Sequence, residues 1–296
     1  YRPSMTFREG GQFEGGRVRR SAGRRGGVAV GGGLVGLILV LVLSQVTGMD
    51  LSGLVGGGGG GSQDLGTIGE CTVEQANTDP ECRLSATLQA LDAFWLPEAE
   101  RLGVEAFEIP GAESFTGSVD TACGTATSAV GPFYCPPDQG IYLDLGFFDV
   151  LRSDFGASGG NLAEMYVVAH EYGHHVQNVT GYFDRADRSG TGEDSDSVRL
   201  ELQADCLAGM WAGHAATVPD PDTGVIFLEP ITAEQLRDAL SAAAAVGDDR
   251  IQSSSGGSIN PDAWTHGSSE QRQEWFTIGY EQGDFAACDT FEAGSL

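Results

Sequence analysis

Residues 161–179 read NLAEMYVVAHEYGHHVQNV. Asn161 with Glu164 three residues later makes an N-cap pair, Gly181 closes the segment, and an amphipathic helix is predicted between them. On it His170, Glu171 and His174 spell H-E-x-x-H. Residues four apart stand one turn above each other, so both imidazoles reach one metal ion, while Glu171 points toward a water on that ion. Two imidazoles and a carboxylate leave one tetrahedral position open, which is the donor set of hydrolytic zinc. The alternative meaning of the motif is a polar stripe of solvated or core-satisfied histidines. Its place on a capped, amphipathic helix favours the metal.

The third ligand is sought on the next predicted helix, SVRLELQADCLAGMWAGHAA, residues 197–216. Glu201 lies 27 residues after His174, and Asp205 falls on the same face one turn later. Asp205 is placed to accept a hydrogen bond from the far nitrogen of a ligand imidazole, fixing its tautomer. Alone, E-x-x-x-D is usually a surface acidic pair. Among Leu200, Leu202, Leu207, Met210 and Trp211, and following H-E-x-x-H, it reads as a ligand and its support. His214 and His266 are the competing third ligands. His214 otherwise reads as a helix-end histidine, and His175 points about 100° away from His174. His266 and Arg272, at a loop and a helix start, are candidates to hydrogen-bond a tetrahedral oxyanion, against a cap or turn role. Tyr142 and Tyr172 read as packing residues.

Farther out, residues 82–95 show Leu84, Leu88, Leu91 and Trp95 at helical spacing, stopped by Pro97. Residues 106–145 are rich in Gly, Pro, Phe and Tyr, with short runs such as GPFYC and IYLDL, and predict a small sheet. Capping pairs Thr232/Gln235 and Ser268/Gln271 open two more helices, the last ended by Gly283. The expected fold is α+β, mostly helical with a small sheet.

The 296 residues are 41% hydrophobic and carry a net charge of −26, which is too apolar for general disorder. Lys is absent and the 16 arginines are outnumbered by 42 acidic residues, a balance that argues against nucleic-acid binding. The charge is split. Residues 1–27 hold seven Arg against Glu9 and Glu14, and the uncharged run 28–46, VAVGGGLVGLILVLVLSQV, follows. At about 1.5 Å per residue this run spans a bilayer core, and the flanking Arg place the N-terminus in the cytoplasm. Expected boundaries are therefore a basic cytoplasmic segment 1–27, a retained transmembrane helix 28–46, a Gly-rich linker 47–66 and a catalytic domain 67–296. All six cysteines follow the apolar run, as an extracytoplasmic domain permits. Sequence order makes Cys71–Cys82 and Cys123–Cys135 local loops and leaves Cys206 for Cys288. Neither C-x-x-C nor a phosphate-loop G-K-[ST] occurs.

Four blocks in order, GPFYCPPDQGIYLDLGFF, VVAHEYGHHVQNVTG, ELQADCLAGMWAGHA and THGSSEQRQEWFTIGY, resemble the bacterial neutral zinc metallopeptidase family, a gluzincin-like group. The likeness runs from about Glu70 to the C-terminus. It implies a zincin-like core, Zn²⁺ held by His170, His174 and Glu201, Glu171 as catalytic residue, and hydrolysis of peptide bonds in peptide or protein substrates. The competing function is a zinc-bearing, non-catalytic envelope protein that binds partners through its acidic surface. The intact Glu171 argues against it, since a structural zinc site needs no acid–base group.

Overall fold

The computed structural model describes residues 6–23, 62–128, 130–254 and 258–296. In chain order, β1 (Gln12–Phe13) and β2 (Arg19–Gly23) precede β3 (Ser62–Thr67) and β4 (Cys71–Thr72). Helices α1 (Val73–Thr78) and α2 (Pro80–Arg101) lead to strands β5 (Gly111–Thr116), β6 (Ser118–Thr121), β7 (Gly124–Thr127), β8 (Phe133–Cys135) and β9 (Gly140–Leu143). Six helices of four residues or more follow: α3 (Phe147–Ser153), α4 (Asn161–Val179), α5 (Tyr182–Arg185), α6 (Asp196–His214), α7 (Ala233–Ala245) and α8 (Asp248–Ser254). The last helix is α9 (Ser269–Gln282). The architecture is mixed α+β, as expected.

The main sheet has the order β3-β2-β5-β9-β8, parallel at β2/β5 and β5/β9 and antiparallel at both edges. Strand β8 is thus an edge, and it abuts α4, the central helix. On its other sides α4 packs against α2, α6 and α7, with Tyr166, Val168, Ala169 and Tyr172 at most 2% exposed. Helix α6 is in turn covered by α9. The approach is close because Gly209 and Gly279 face backbone: a β-carbon on either would strike the carbonyl of Phe276 or Cys206. The predicted capping boxes at Thr232 and Ser268 are present, and Gly283 ends α9 at φ 61°. All three disulfides join the pairs that sequence order suggests.

Two local expectations are corrected. Pro97 does not stop α2, which runs on to Arg101 because Glu98 and Ala99 beyond the proline are buried and packing outweighs the lost hydrogen bond. Helix α4 is capped by Gly160 at φ 105° without a side-chain bond. Asn161 instead donates to the carbonyl of Asn77, and Glu164 pairs with Arg83 and Arg152.

The N-terminal boundary also moves. Residues 6–23 belong to the same body as the rest: Phe7, Phe13 and Val18 are in the core, and β2 lies between β3 and β5. The arginines that suggested a cytoplasmic flank have partners on the domain. Arg17 pairs with Asp92 at 2.6 Å, Arg20 with Glu81 at 3.4 Å, and Arg19 with Asp64 at 3.6 Å and Glu113 at 3.9 Å. Gly23 stands opposite Ser62, inside the stretch expected as linker. The apolar run 28–46 lies outside the described residues, and among the described residues no helix is long and apolar enough to cross a membrane.

Candidate metal centre

Helix α4 places His170 and His174 one turn apart, and α6, packed across it, brings Glu201 between them. Nε2 of His170 is 3.2 Å from one carboxylate oxygen of Glu201, and Nε2 of His174 is 3.5 Å from the other. All three donor atoms lie within 4.8 Å of one another. His214 sits at the end of α6 with Nδ1 on the carbonyl of Met210, so it is no part of this group.

The far sides of both imidazoles are fixed. Nδ1 of His170 lies 2.8 Å from Asp205, whose carboxylate also accepts from Tyr166 and, bidentately, from Arg272 at 2.7 and 2.9 Å. Asp205 is already held ionised by Arg272 and His170 against the cost of its burial, so the His170 contact is an N–H donating to it. Nε2 is thereby turned toward Glu201, the nitrogen that meets a metal once it has given up its proton. His174 is oriented the same way by Gln177. The Gln177 amide N–H₂ donates to the carbonyl of Leu200 and to Gln203, which leaves its oxygen to accept from Nδ1 of His174 at 2.8 Å. Two imidazoles so oriented around one carboxylate fit a small divalent cation of borderline softness, and zinc best.

Buried Glu171 lines the same cleft and makes no hydrogen bond or ion pair among the described residues. Burial raises its carboxyl above the ordinary value, against the pull of His170 and His174. A raised carboxyl suits a group that must take up a proton and release it. His266 also lines the cleft. Its ring Nδ1 is 2.9 Å from Asp248, which also accepts from the backbone N–H groups of Thr265, His266 and Gly267. Burial disfavours its charge, but the Asp248 carboxylate outweighs that and raises its pKa. Nε2 is the ring nitrogen left unbonded. Arg272 serves Asp205 and the carbonyl of Val246, behind His170, instead of standing free for an oxyanion.

His175 is no ligand: its ring bonds the Tyr134 hydroxyl at 3.0 Å and the carbonyl of Glu108 at 2.8 Å, tying α4 to β8. Tyr142 donates to Asp138 and buried Tyr172 donates to Asp92, so both pack with their hydroxyls satisfied. The sequence reading missed Gln177 and Asp248. Gln177 stands three residues after His174 on one helix face, a signal that was available. Asp248 precedes its partner by 18 residues across a turn, and no spacing rule points to it.

The lining beside the metal donors is mostly apolar, with Val130, Phe147, Phe155, Val167 and Leu200, Phe133 and Tyr134 from β8, and Phe183, whose ring is 6.1 Å from that of His174; Arg188 is a cation among them.

Residues 5–291 match the family described as "Putative neutral zinc metallopeptidase". The chain is 51% identical over 230 residues to the uncharacterized protein Rv2575 of Mycobacterium tuberculosis, covering 77% of each chain. It is 38% identical over 266 residues to the uncharacterized protein YpfJ of Escherichia coli, covering 88% of this chain and 86% of that one. No solved structure matches it.

Proposed function

From the premise that this chain belongs to the neutral zinc metallopeptidase family, we propose that it hydrolyses peptide bonds at a gluzincin-like centre of His170, His174 and Glu201. The observation that carries this reading is the unpartnered, buried Glu171 beside three converging donors, the two imidazoles among them oriented from behind. Zinc, when held there, supplies a Lewis acid for the scissile carbonyl and makes water a better nucleophile. Glu171 accepts the proton of the attacking water and hands it to the leaving amine, for which its raised pKa suits it. His266, kept protonated by Asp248, donates from Nε2 to the oxygen that gains charge. The edge strand β8, which lends Phe133 and Tyr134 to the cleft, is the element along which an extended substrate lies in this reading, and the apolar lining takes an apolar side chain.

The domain is assigned to an extracytoplasmic compartment, which the three disulfides support. Residues 6–23, being strands and core of the same body, go with it and are not on the cytoplasmic side. With Gly23 and Ser62 paired in one sheet, the expected single-pass span between them is withdrawn from this reading, and attachment to a membrane through 28–46 rests on its hydropathy alone.

The test is zinc content and cleavage of a mixed peptide library by the purified full chain, beside Glu171→Gln. The variant should keep stoichiometric zinc and the melting temperature while losing at least about a hundredfold in turnover, the range of a general base. Equal turnover by the two proteins would sink the mechanism.

A further inference from the structure

The chain has 42 acidic residues and 16 arginines with no lysine, so a carboxylate partner is the ordinary expectation for a cation in its cleft. Within the cleft this holds for Arg272, paired with Asp205, and for His266, paired with Asp248. Arg188 is different. It lines the cleft half-buried, and among the described residues no carboxylate lies within ion-pair reach of its guanidinium, although Asp184, Asp187, Glu193, Asp194 and Asp196 belong to the same stretch of chain. Two of those acids are engaged elsewhere: Asp187 accepts from Ser189, and Asp196 accepts from the backbone of Asp187.

Its position is set. The guanidinium carbon lies 5.4 Å from the centroid of Phe183, whose ring is 6.1 Å from that of His174. An arginine over an aromatic face is oriented by it while its N–H fork stays available in the ring plane's direction. The carbonyl of Arg188 accepts from Ser197, and the same loop is pinned to the far wall by Thr191 and Gly192, which donate to the carbonyls of Asp262 and Trp264. At about 3.3 Å per extended residue, this arginine is within roughly three substrate residues of the metal ligands.

We propose that Arg188 is a specificity-determining residue that binds a carboxylate of the peptide substrate, two or three residues from the scissile bond. This deepens the peptidase reading and rests on it. The overall acidity of the chain repels anionic peptides at long range, and a desolvated, charge-assisted arginine contact in the cleft gives such a peptide a local reason to stay. The carboxylate comes from an acidic side chain or from the peptide's C-terminus.

Matched peptides that differ only as Glu or Gln near the cleavage site, each with a free or amidated C-terminus, distinguish the two. With the zinc-loaded full chain, carboxylate-bearing peptides should show kcat/KM about tenfold above their neutral counterparts, mostly through KM, as a charge-assisted contact provides. In Arg188→Gln that ratio should fall to near one, and Arg188→Lys should retain part of it. Loss of the preference on amidation assigns the peptide terminus, and loss on Glu-to-Gln exchange assigns the side chain. The same ratio is read by calorimetric binding to Glu171→Gln, where no turnover is needed. A protein that binds carboxylate peptides through Arg188 but cuts none refutes the hydrolytic reading alone. Equal handling of charged and neutral peptides, or a preference that survives in Arg188→Gln, overturns the proposal.

Discussion

His170 is held by a carboxylate that is itself held. Asp205 takes two bonds from Arg272, one from Tyr166 and one from His170, all buried, so its charge is set before any metal arrives. Burial alone would lower the His170 pKa, but the carboxylates of Asp205 and Glu201 push it up to about 10 in the metal-free site. Zinc must therefore displace a proton from His170 at neutral pH, and its apparent affinity should rise as pH rises toward that value. Asp205→Asn removes the charge that holds the proton and the carboxylate that sets the tautomer. Its zinc affinity should drop by roughly 10 to 100-fold, with a shallower pH dependence of metal uptake. Competition with a chromophoric chelator across pH measures both, and an unchanged affinity would remove Asp205 from the site. At this scale the sequence was most legible where spacing on one helix fixes geometry: His170 and His174 share a face by four-residue separation, and Glu201 with Asp205 do likewise. His266 and Asp248 meet only because a turn folds the THG segment around one carboxylate, and such contacts have no period to read.

The helices were legible through their ends. Ser268 with Gln271 and Thr232 with Gln235 mark starts by a local hydrogen-bonding requirement that any helix must meet, and Gly283 marks a stop by its left-handed φ. Strand β3, SQDLGT, was not, because every residue in it is exposed and no alternation of apolar side chains betrays a sheet. Less visible still is why α6 can carry Glu201 and Asp205 at the right depth. Its back lies against α9 with Gly209 and Gly279 at the contact, each facing a carbonyl oxygen that a methyl would strike. Helix-interior glycine normally costs about 1 kcal/mol relative to alanine, so on propensity Gly279→Ala should stabilise. Backbone cannot turn aside as a side chain does, so we expect instead a loss of at least about 2 kcal/mol, the upper part of the range for overpacking. The shift of α9 should also move Arg272 off Asp205 and weaken zinc binding. Chemical denaturation reports the first effect. A more stable Gly279→Ala protein would mean that the two helices part at little cost.

Over the whole molecule, the fold depends on a segment that composition assigns to another compartment. Arginines before an apolar run are the usual mark of a cytoplasmic flank, and their counter-ions Glu81, Asp92 and Glu113 are too scattered in sequence to suggest otherwise. Yet β2 supplies the strand that joins β3 to β5, and Arg17 is the cation for Asp92, whose side chain is only 12% exposed and also accepts from Tyr172 on the zinc helix. Removing residues 6–23 would leave β3 without its strand partner, open the edge of β5, and strand the Asp92 carboxylate. The last of these alone costs about 3 to 5 kcal/mol for a buried pair broken from one side. A domain has only about 5 to 15 kcal/mol in total. The fragment 67–296, which the sequence reading takes as the complete catalytic domain and which lacks most of β3 as well, should therefore lack a cooperative thermal transition or melt well below the full chain. It should also bind zinc weakly, since Asp92 holds Tyr172 on the helix that bears both histidines. Addition of a peptide spanning residues 6–23 should raise the melting temperature in proportion to its occupancy, by mass action on the folded state. A fragment 67–296 that melts within a few degrees of the full chain, unmoved by that peptide, would show that the N-terminal strand is an accessory to the sheet and that the catalytic body closes without it.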